Sequence, residues 1–185
     1  MVNIKPFIEI FKANIPLESI VFDPAINRGE YCVLHYNKNK KGCPNFNKPD
    51  KLFCPPHAPY YGEKIKEYNT FILVYAEFDF KAYKEEMREE WIEKNKAKGI
   101  DKEPTEKQIA CNLYWQLPLK NKILDTVLSI SGKDDLVLAC GSGLNGWYSL
   151  EAVGINVFET YRNNGIDFEE RPNDKIVMCS LVCKK

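Results

Sequence analysis

The chain has 185 residues, enough for one domain that buries most of its apolar side chains, and Lys+Arg and Asp+Glu balance at 26 each. That balance excludes a whole-molecule field for nucleic acid or membrane, and four arginines (Arg28, Arg88, Arg162, Arg171) against 22 lysines weigh against a dedicated phosphate or base reader. No stretch approaches the roughly 18 apolar residues of a membrane span, and no charged-then-apolar leader opens the chain, so a reducing cytoplasm is expected. There an odd count of seven cysteines points to metal ligation or catalysis rather than to disulfides.

Phe7, Ile8, Ile10 and Phe11 recur at helical spacing and predict a short helix ending near Asn14-Ile15-Pro16. Residues 19–22 and 31–35 read as short strands around the turn Asn27-Arg28-Gly29. The stretch 37–61 holds five of the eleven prolines and two cysteines, with almost no periodicity. A structureless loop of that length is uncommon inside a compact domain, so something should tie it down. Residues 70–78 are β-rich and mostly apolar, which predicts a central strand. Asp79 is placed to cap a helix with Phe80, Tyr83, Met87 and Trp91 on one side.

A charged connector covers 94–102, and Thr105 with Gln108 makes a capping box for a second helix through Ile109, Leu113 and Leu117. Pro118 kinks or ends it, and Ile123, Leu124, Val127 and Leu128 continue the apolar stripe. Residues 136–140 read as a buried strand entering the glycine-rich stretch 141–146. A helix is expected within 149–162 and a final strand over 175–183. This order predicts an α+β fold with one metal-binding domain over residues 1–185. It has a mixed β-sheet with helices packed on it and a long cysteine- and proline-rich loop.

Gly42-Cys43-Pro44 and Cys54-Pro55-Pro56 carry the strongest chemical signal. A proline after a ligand fixes the backbone and removes an amide donor, and Cys-Pro recurs in iron–sulfur ligand runs. Two thiolates do not complete a four-coordinate site. Cys32, at a strand end, and Cys140, where a strand meets a glycine-rich turn, are the candidate partners. Such a turn presents backbone N–H groups to an anionic cluster. The plainer reading of Cys32 and Cys140 is as small core hydrophobes. The expected metal and cofactor site is therefore Cys32, Cys43, Cys54 and Cys140, holding an iron–sulfur cluster of the 4Fe–4S type, with zinc as the alternative.

His35 and His57 are the only histidines; His57 is a further candidate ligand, though a histidine in a proline-rich loop is more often solvated. Cys179 and Cys183 share a strand face about 13 Å apart, beyond disulfide reach, and read as core packing, as does Cys111 in its helix. Residues 141–146 lack G-x-x-x-x-G-K-S/T and a clear G-x-G-x-x-G, so nucleotide binding is a weak reading. Tyr60 and Tyr61 beside Lys64 and Lys66 could stack single-stranded RNA, but such residues are more often a solvated rim.

Two segments carry a resemblance. Gly42-Cys43-Pro44-Asn45-Phe46 followed by Cys54-Pro55-Pro56-His57-Ala58-Pro59 is similar to the first signature of an uncharacterised family of predicted metal-binding proteins (domain of unknown function 2284), common in archaea and anaerobic bacteria. Ser149-Leu150-Glu151-Ala152-Val153-Gly154-Ile155-Asn156-Val157-Phe158 resembles its second signature, Ser-Met-Glu-Ala-Cys-Gly-Ile-Asp-Val-Phe. Cys140 falls where that family has a cysteine after a strand, and the similarity spans roughly residues 30–165. The family's further cysteines between the equivalents of Cys140 and Ser149 are missing here, and Val153 stands in place of another. The resemblance thus implies metal binding, one cluster at most, and no particular reaction. Within the second signature, Glu151 could face the metal and Arg162 bind an anionic group. The preferred reading is structural, with Glu151 capping the helix near Asn156 or pairing with a lysine.

These features point to redox, sulfur-transfer or cluster-delivery chemistry, with an unknown small molecule or a redox or sulfur-transfer partner protein, away from membranes and nucleic acid. Three thiolates would leave an iron position open, as an enzyme needs; four favour electron transfer or a structural cluster. A structural-zinc module for RNA or a protein partner is the alternative, and a metal-free protein with packing cysteines is the third reading.

Overall fold

Two apolar sets interleave along Thr70–Asp79: Phe71 and Leu73 on one side, Val74, Ala76 and Phe78 on the other, all buried. A strand buried on both faces must sit between layers and between other strands. The computed structural model, which describes residues 3–34, 42–105, 109 and 115–185, places it there. The sheet has the order β1-β2-β4-β3, with β1 Ile8–Ile15, β2 Thr70–Asp79, β3 Leu136–Leu138 and β4 Lys175–Lys184. β2 pairs along its length with β1 (Ile8 opposite Phe78) and with β4 (Tyr75 opposite Cys179), and β3 lies on β4 with Leu136 opposite Cys183.

One face of the sheet carries a helical layer. Asp79 ends β2 and caps α3, Phe80–Lys96, its carboxylate accepting from the Ala82 N–H at 2.9 Å. The second helix of this layer, Gln116–Ile130, buries Leu119, Ile123 and Val127 at four-residue spacing against Val74, Phe78 and Val182. The opposite face is covered by short pieces: α1 Pro24–Asn27, α2 Glu30–Val33, the cysteine loop, the segment 139–156, and a last helix Val157–Asn163. Ile20, Ile65, Leu150, Val153, Ile155 and Tyr161 plug this layer onto Phe71, Leu73, Cys179 and Leu181. The protein is thus α+β, with helices on one side of a sheet and a loop-rich layer on the other. In chain order the helix Gln116–Ile130 is α4 and Val157–Asn163 is α5.

Several expectations are corrected. The sheet expected to be mixed is antiparallel in all three of its pairings; among the described residues, parallel pairing is confined to an isolated bridge between Ala139 and Ser149. The helix expected around Phe7–Phe11 is strand β1. Its Ile8 and Ile10 meet the helical layer while Ala13 and Ile15 meet the other, so both parities are apolar and the alternation vanishes. The strands expected at 19–22 and 31–35 are instead a 3-10 turn at Leu17–Ser19, a lone bridge from Phe22 to Ile155, and the helical turn α2. Pro118 falls in the first turn of α4, where no intrahelical N–H is needed; the helix it was expected to kink or end lies mostly outside the described residues. Most of the capping-box helix, with Gln108 and Cys111, lies outside the described residues, as does His35. Among the described residues no helix is long and apolar enough to cross a membrane.

Candidate metal centre

The loop layer is held by hydrogen bonds between segments far apart in sequence. Asn27, ending α1, donates from Nδ2 to the Ala58 carbonyl at 3.0 Å and to the Ala152 carbonyl at 2.6 Å. One side-chain amide thereby joins α1, the end of the cysteine loop and the segment after Ser149. The Tyr61 N–H donates to Val153 O at 3.1 Å, and Asp23 N–H to Gly154 O at 2.7 Å. Tyr31 donates its hydroxyl to Asn156 Oδ1 at 2.9 Å, the same oxygen that caps α5 through the Glu159 N–H. Phe53 and Tyr61 both pack on Tyr148, at ring-centroid distances of 5.2 and 5.9 Å. The described part of the expected structureless loop is therefore a chain of turns tied at several points.

Within it the two Cys-Pro segments form successive turns. The Phe46 N–H returns to Cys43 O at 3.2 Å, and the His57 and Ala58 N–H groups return to Cys54 O at 2.9 and 3.2 Å. Asn47 N–H reaches Pro55 O at 3.4 Å and joins one turn to the other; the Pro55–Pro56 bond is cis. The first turn is seated on α2 by the Cys43 N–H, which donates to Cys32 O at 2.7 Å. Gly42 makes this approach possible. Its φ is +70°, and a Cβ there would lie 2.3 Å from Cys32 O. Gly29, before α2, plays a similar part, since a Cβ on it would collide with the ring of Phe46.

These contacts set Cys43 against Cys32 and join the Cys54 turn to the Cys43 turn. Cys32, Cys43 and Cys54 are all half-buried free thiols. Burial pushes the Cys32 thiol up to about 11, and the charges of Cys43, Cys54 and Glu151 and a hydrogen bond with Cys43 push the same way. Lys51, three residues before Cys54, pairs with Asp50 at 2.9 Å. His57, the further candidate, is exposed.

Cys140 has different company. It is half-buried beyond the end of β3, and burial raises its thiol, opposed by a hydrogen bond with Ser180 and by the charge of Lys120. The Lys120 ammonium on α4 lies 3.2 Å from where a Cβ on Gly141 would stand. Glu151 links the two groups, because its charge acts on Cys32 and on Cys140 alike. Burial holds its carboxyl above the usual range, with Ser149 and Lys120 opposing. It does not cap α5, a role taken by Asn156. Arg162 fits the structural reading: it pairs with Glu159 at 2.5 Å and with Glu170, and lies over the Phe168 ring.

Among the described residues no three His, Cys, Asp or Glu side chains converge tightly enough to hold a single metal ion. The arrangement offers three half-buried thiols, one on α2 and two on the adjoining turns, with the Glu151 charge acting on Cys32. Sequence reading missed Asn27, Tyr31, Lys120 and Ser180. Their partners lie far along the chain, 125 residues for Asn27 to Ala152 and for Tyr31 to Asn156, so no local pattern marks them. A scan against family models returns no match, and searches of curated proteins and of solved structures return none either.

Proposed function

We propose that the protein holds one iron–sulfur cluster, of the 4Fe–4S type, through Cys32, Cys43 and Cys54, and serves redox, sulfur-transfer or cluster-delivery chemistry in a reducing cytoplasm. The observation that carries this is the seating of the Cys43 turn on α2, through Cys43 N–H to Cys32 O at 2.7 Å, with the Cys54 turn tied to it. Cys32 is hydrogen-bonded to Cys43 and feels the charge of Cys54, and all three are free, half-buried thiols. Soft thiolates select zinc, copper(I) or iron–sulfur centres. A closed zinc site needs four ligands within about 2.3 Å of one ion, tighter than this set, whereas a polynuclear cluster is held at its corners by thiolates standing further apart. Such a cluster, when bound, supplies one-electron chemistry or an iron open to a sulfur ligand.

The chain's own residues then have separate tasks. Pro44 and Pro55 stiffen the turns after two of the ligands, and Gly42 lets the first turn reach α2. Glu151, whose burial favours its neutral carboxyl, is within electrostatic reach of Cys32. Cys140, with Ser180 and Lys120, stands outside the ligand set. The likeness to the predicted metal-binding family belongs to this same proposal. Protein purified without oxygen should be brown, with broad sulfur-to-iron absorption and both iron and acid-labile sulfide. A colourless protein with stoichiometric zinc would overturn the cluster in favour of a zinc module. A protein with neither, from cells supplied with both metals, would overturn metal binding altogether.

A further inference from the structure

Of the six free thiols among the described residues, two are hydrogen-bonded to each other, those of Cys32 and Cys43. The Cys43 N–H also donates to Cys32 O at 2.7 Å, so the two residues meet through both main chain and side chain. Covalent bond lengths on either side of that main-chain contact hold the two Cα atoms no more than about 6.6 Å apart, inside the range a disulfide spans. The thiol–thiol hydrogen bond supplies the second requirement, Cβ vectors that converge. The other thiols have other company. The Cys54 turn meets the Cys43 turn through Pro55 O and the Asn47 N–H, four residues beyond Cys43. Cys140 is bonded to Ser180 and Cys179 to Tyr161, and Cys183 stands further along β4.

We infer that Cys32 and Cys43 form a redox-active dithiol, which hydrogen peroxide closes to a disulfide and small thiols reopen. One sulfur of the pair attacks a peroxide oxygen; the O–O bond breaks, a sulfenic acid forms and one water leaves. The other sulfur attacks the sulfenic sulfur; the S–O bond breaks, the S–S bond forms and a second water leaves with the remaining proton. Two thiols have then given two electrons to one peroxide. Two molecules of a small thiol reverse the change by exchange and are themselves left as a disulfide. Transient, redox-sensing disulfides are the kind a reducing compartment carries. The two sulfurs are also two of the three proposed ligands, so closing the bond withdraws both from a cluster and releases iron, a consequence that rests on the reading above.

The test uses the whole protein purified without oxygen, treated with hydrogen peroxide, alkylated, and digested with trypsin without reduction. The lysines and arginines place the three cysteines on separate peptides, 29–38, 42–51 and 52–64. Mass spectrometry should find 29–38 joined to 42–51 at least about tenfold above any other pair, and dithiothreitol should undo the link. Cys43 is 11 residues from Cys32 and 11 from Cys54, so chain proximity alone favours neither partner. In urea the two links should therefore form about equally. Gly42→Val should lower the native link about tenfold, and Cys140→Ala should leave it unchanged. Peptide 42–51 joined equally to 52–64 in the native protein, the same excess persisting in urea, or sulfinic acid on Cys43 with no link overturns the proposal. The link in a protein that holds no iron would sink the cluster alone; loss of iron to peroxide without the link would sink the dithiol alone.

Discussion

Cys179 and Cys183 stand on a strand paired along its length, whereas Cys43 and Cys54 stand on turns joined by single hydrogen bonds. The first two are buried among Phe71, Leu73, Leu138 and Leu181, and Cys179 is hydrogen-bonded to the Tyr161 hydroxyl. The other two, with Cys32, are half-buried in a layer of turns whose rim is exposed. One residue type thus does two jobs. In the sheet a cysteine is a small apolar filler; in the loop layer it stays half-buried on a turn, and Cys32 and Cys43 are hydrogen-bonded.

The largest expected effect breaks the loop side of this comparison. Gly42→Val puts a branched side chain at positive φ and against Cys32 O, which should cost about 3 kcal/mol locally and separate the Cys43 turn from α2. Iron should be lost, while hydrogen exchange in β2 and β4 stays slow. The sheet side responds to pH instead. Burial holds the Cys183 thiol at about 12, above its unfolded value near 8.5, so its neutral form favours the fold. Its contribution is complete below pH 8.5 and declines as pH rises toward 12, because the unfolded chain loses the proton first. The slope is about 1.4 kcal/mol per pH unit. Denaturant titrations at pH 8, 9 and 10 should show this decline, and Cys183→Ala should flatten it by that amount.

Cys183→Ser should cost about 2 kcal/mol by burying a hydroxyl among apolar neighbours and leave iron content unchanged, as chemical denaturation and iron assay would show. The smallest effect concerns the tie between layers. Asn27→Ala strips the Ala58 and Ala152 carbonyls of their donor, at about 1–2 kcal/mol. It should speed proteolysis within residues 42–61 before any change at the sheet. Equal loosening of loop and sheet in that variant would mean the two layers are one cooperative unit.

Strands β2 and β4 were legible as long, nearly continuous β-rich apolar runs, and the Asp79-capped helix because its apolar residues repeat at helical spacing. β1 was not, because a strand covered on both faces loses the alternation that distinguishes it from a helix. Cys43 and Cys54 were legible through the prolines that follow them, a local mark of a stiff turn. Cys32 was named as a ligand but on the wrong element; its position on α2 depends on Gly42 and on Asn27, whose contacts are long-range. Cys140 and Glu151 show the limit of the method. The sequence places both near a signature segment, but only the packing of α4 brings the Lys120 charge to Cys140, and only the fold lets the Glu151 charge act on both Cys32 and Cys140.

The most direct measurement is iron and acid-labile sulfide per chain across single alanine variants of Cys32, Cys43, Cys54, Cys140, Cys179 and Cys183, each purified without oxygen. Cys43→Ala and Cys54→Ala should lose nearly all of both, and Cys32→Ala most. Cys140→Ala, Cys179→Ala and Cys183→Ala should retain wild-type content, with stability lowered by about 1 kcal/mol in the last two. Full retention in Cys43→Ala or Cys54→Ala, or loss in Cys179→Ala equal to theirs, would contradict the division of the cysteines into a ligand group in the loop layer and a packing group in the sheet.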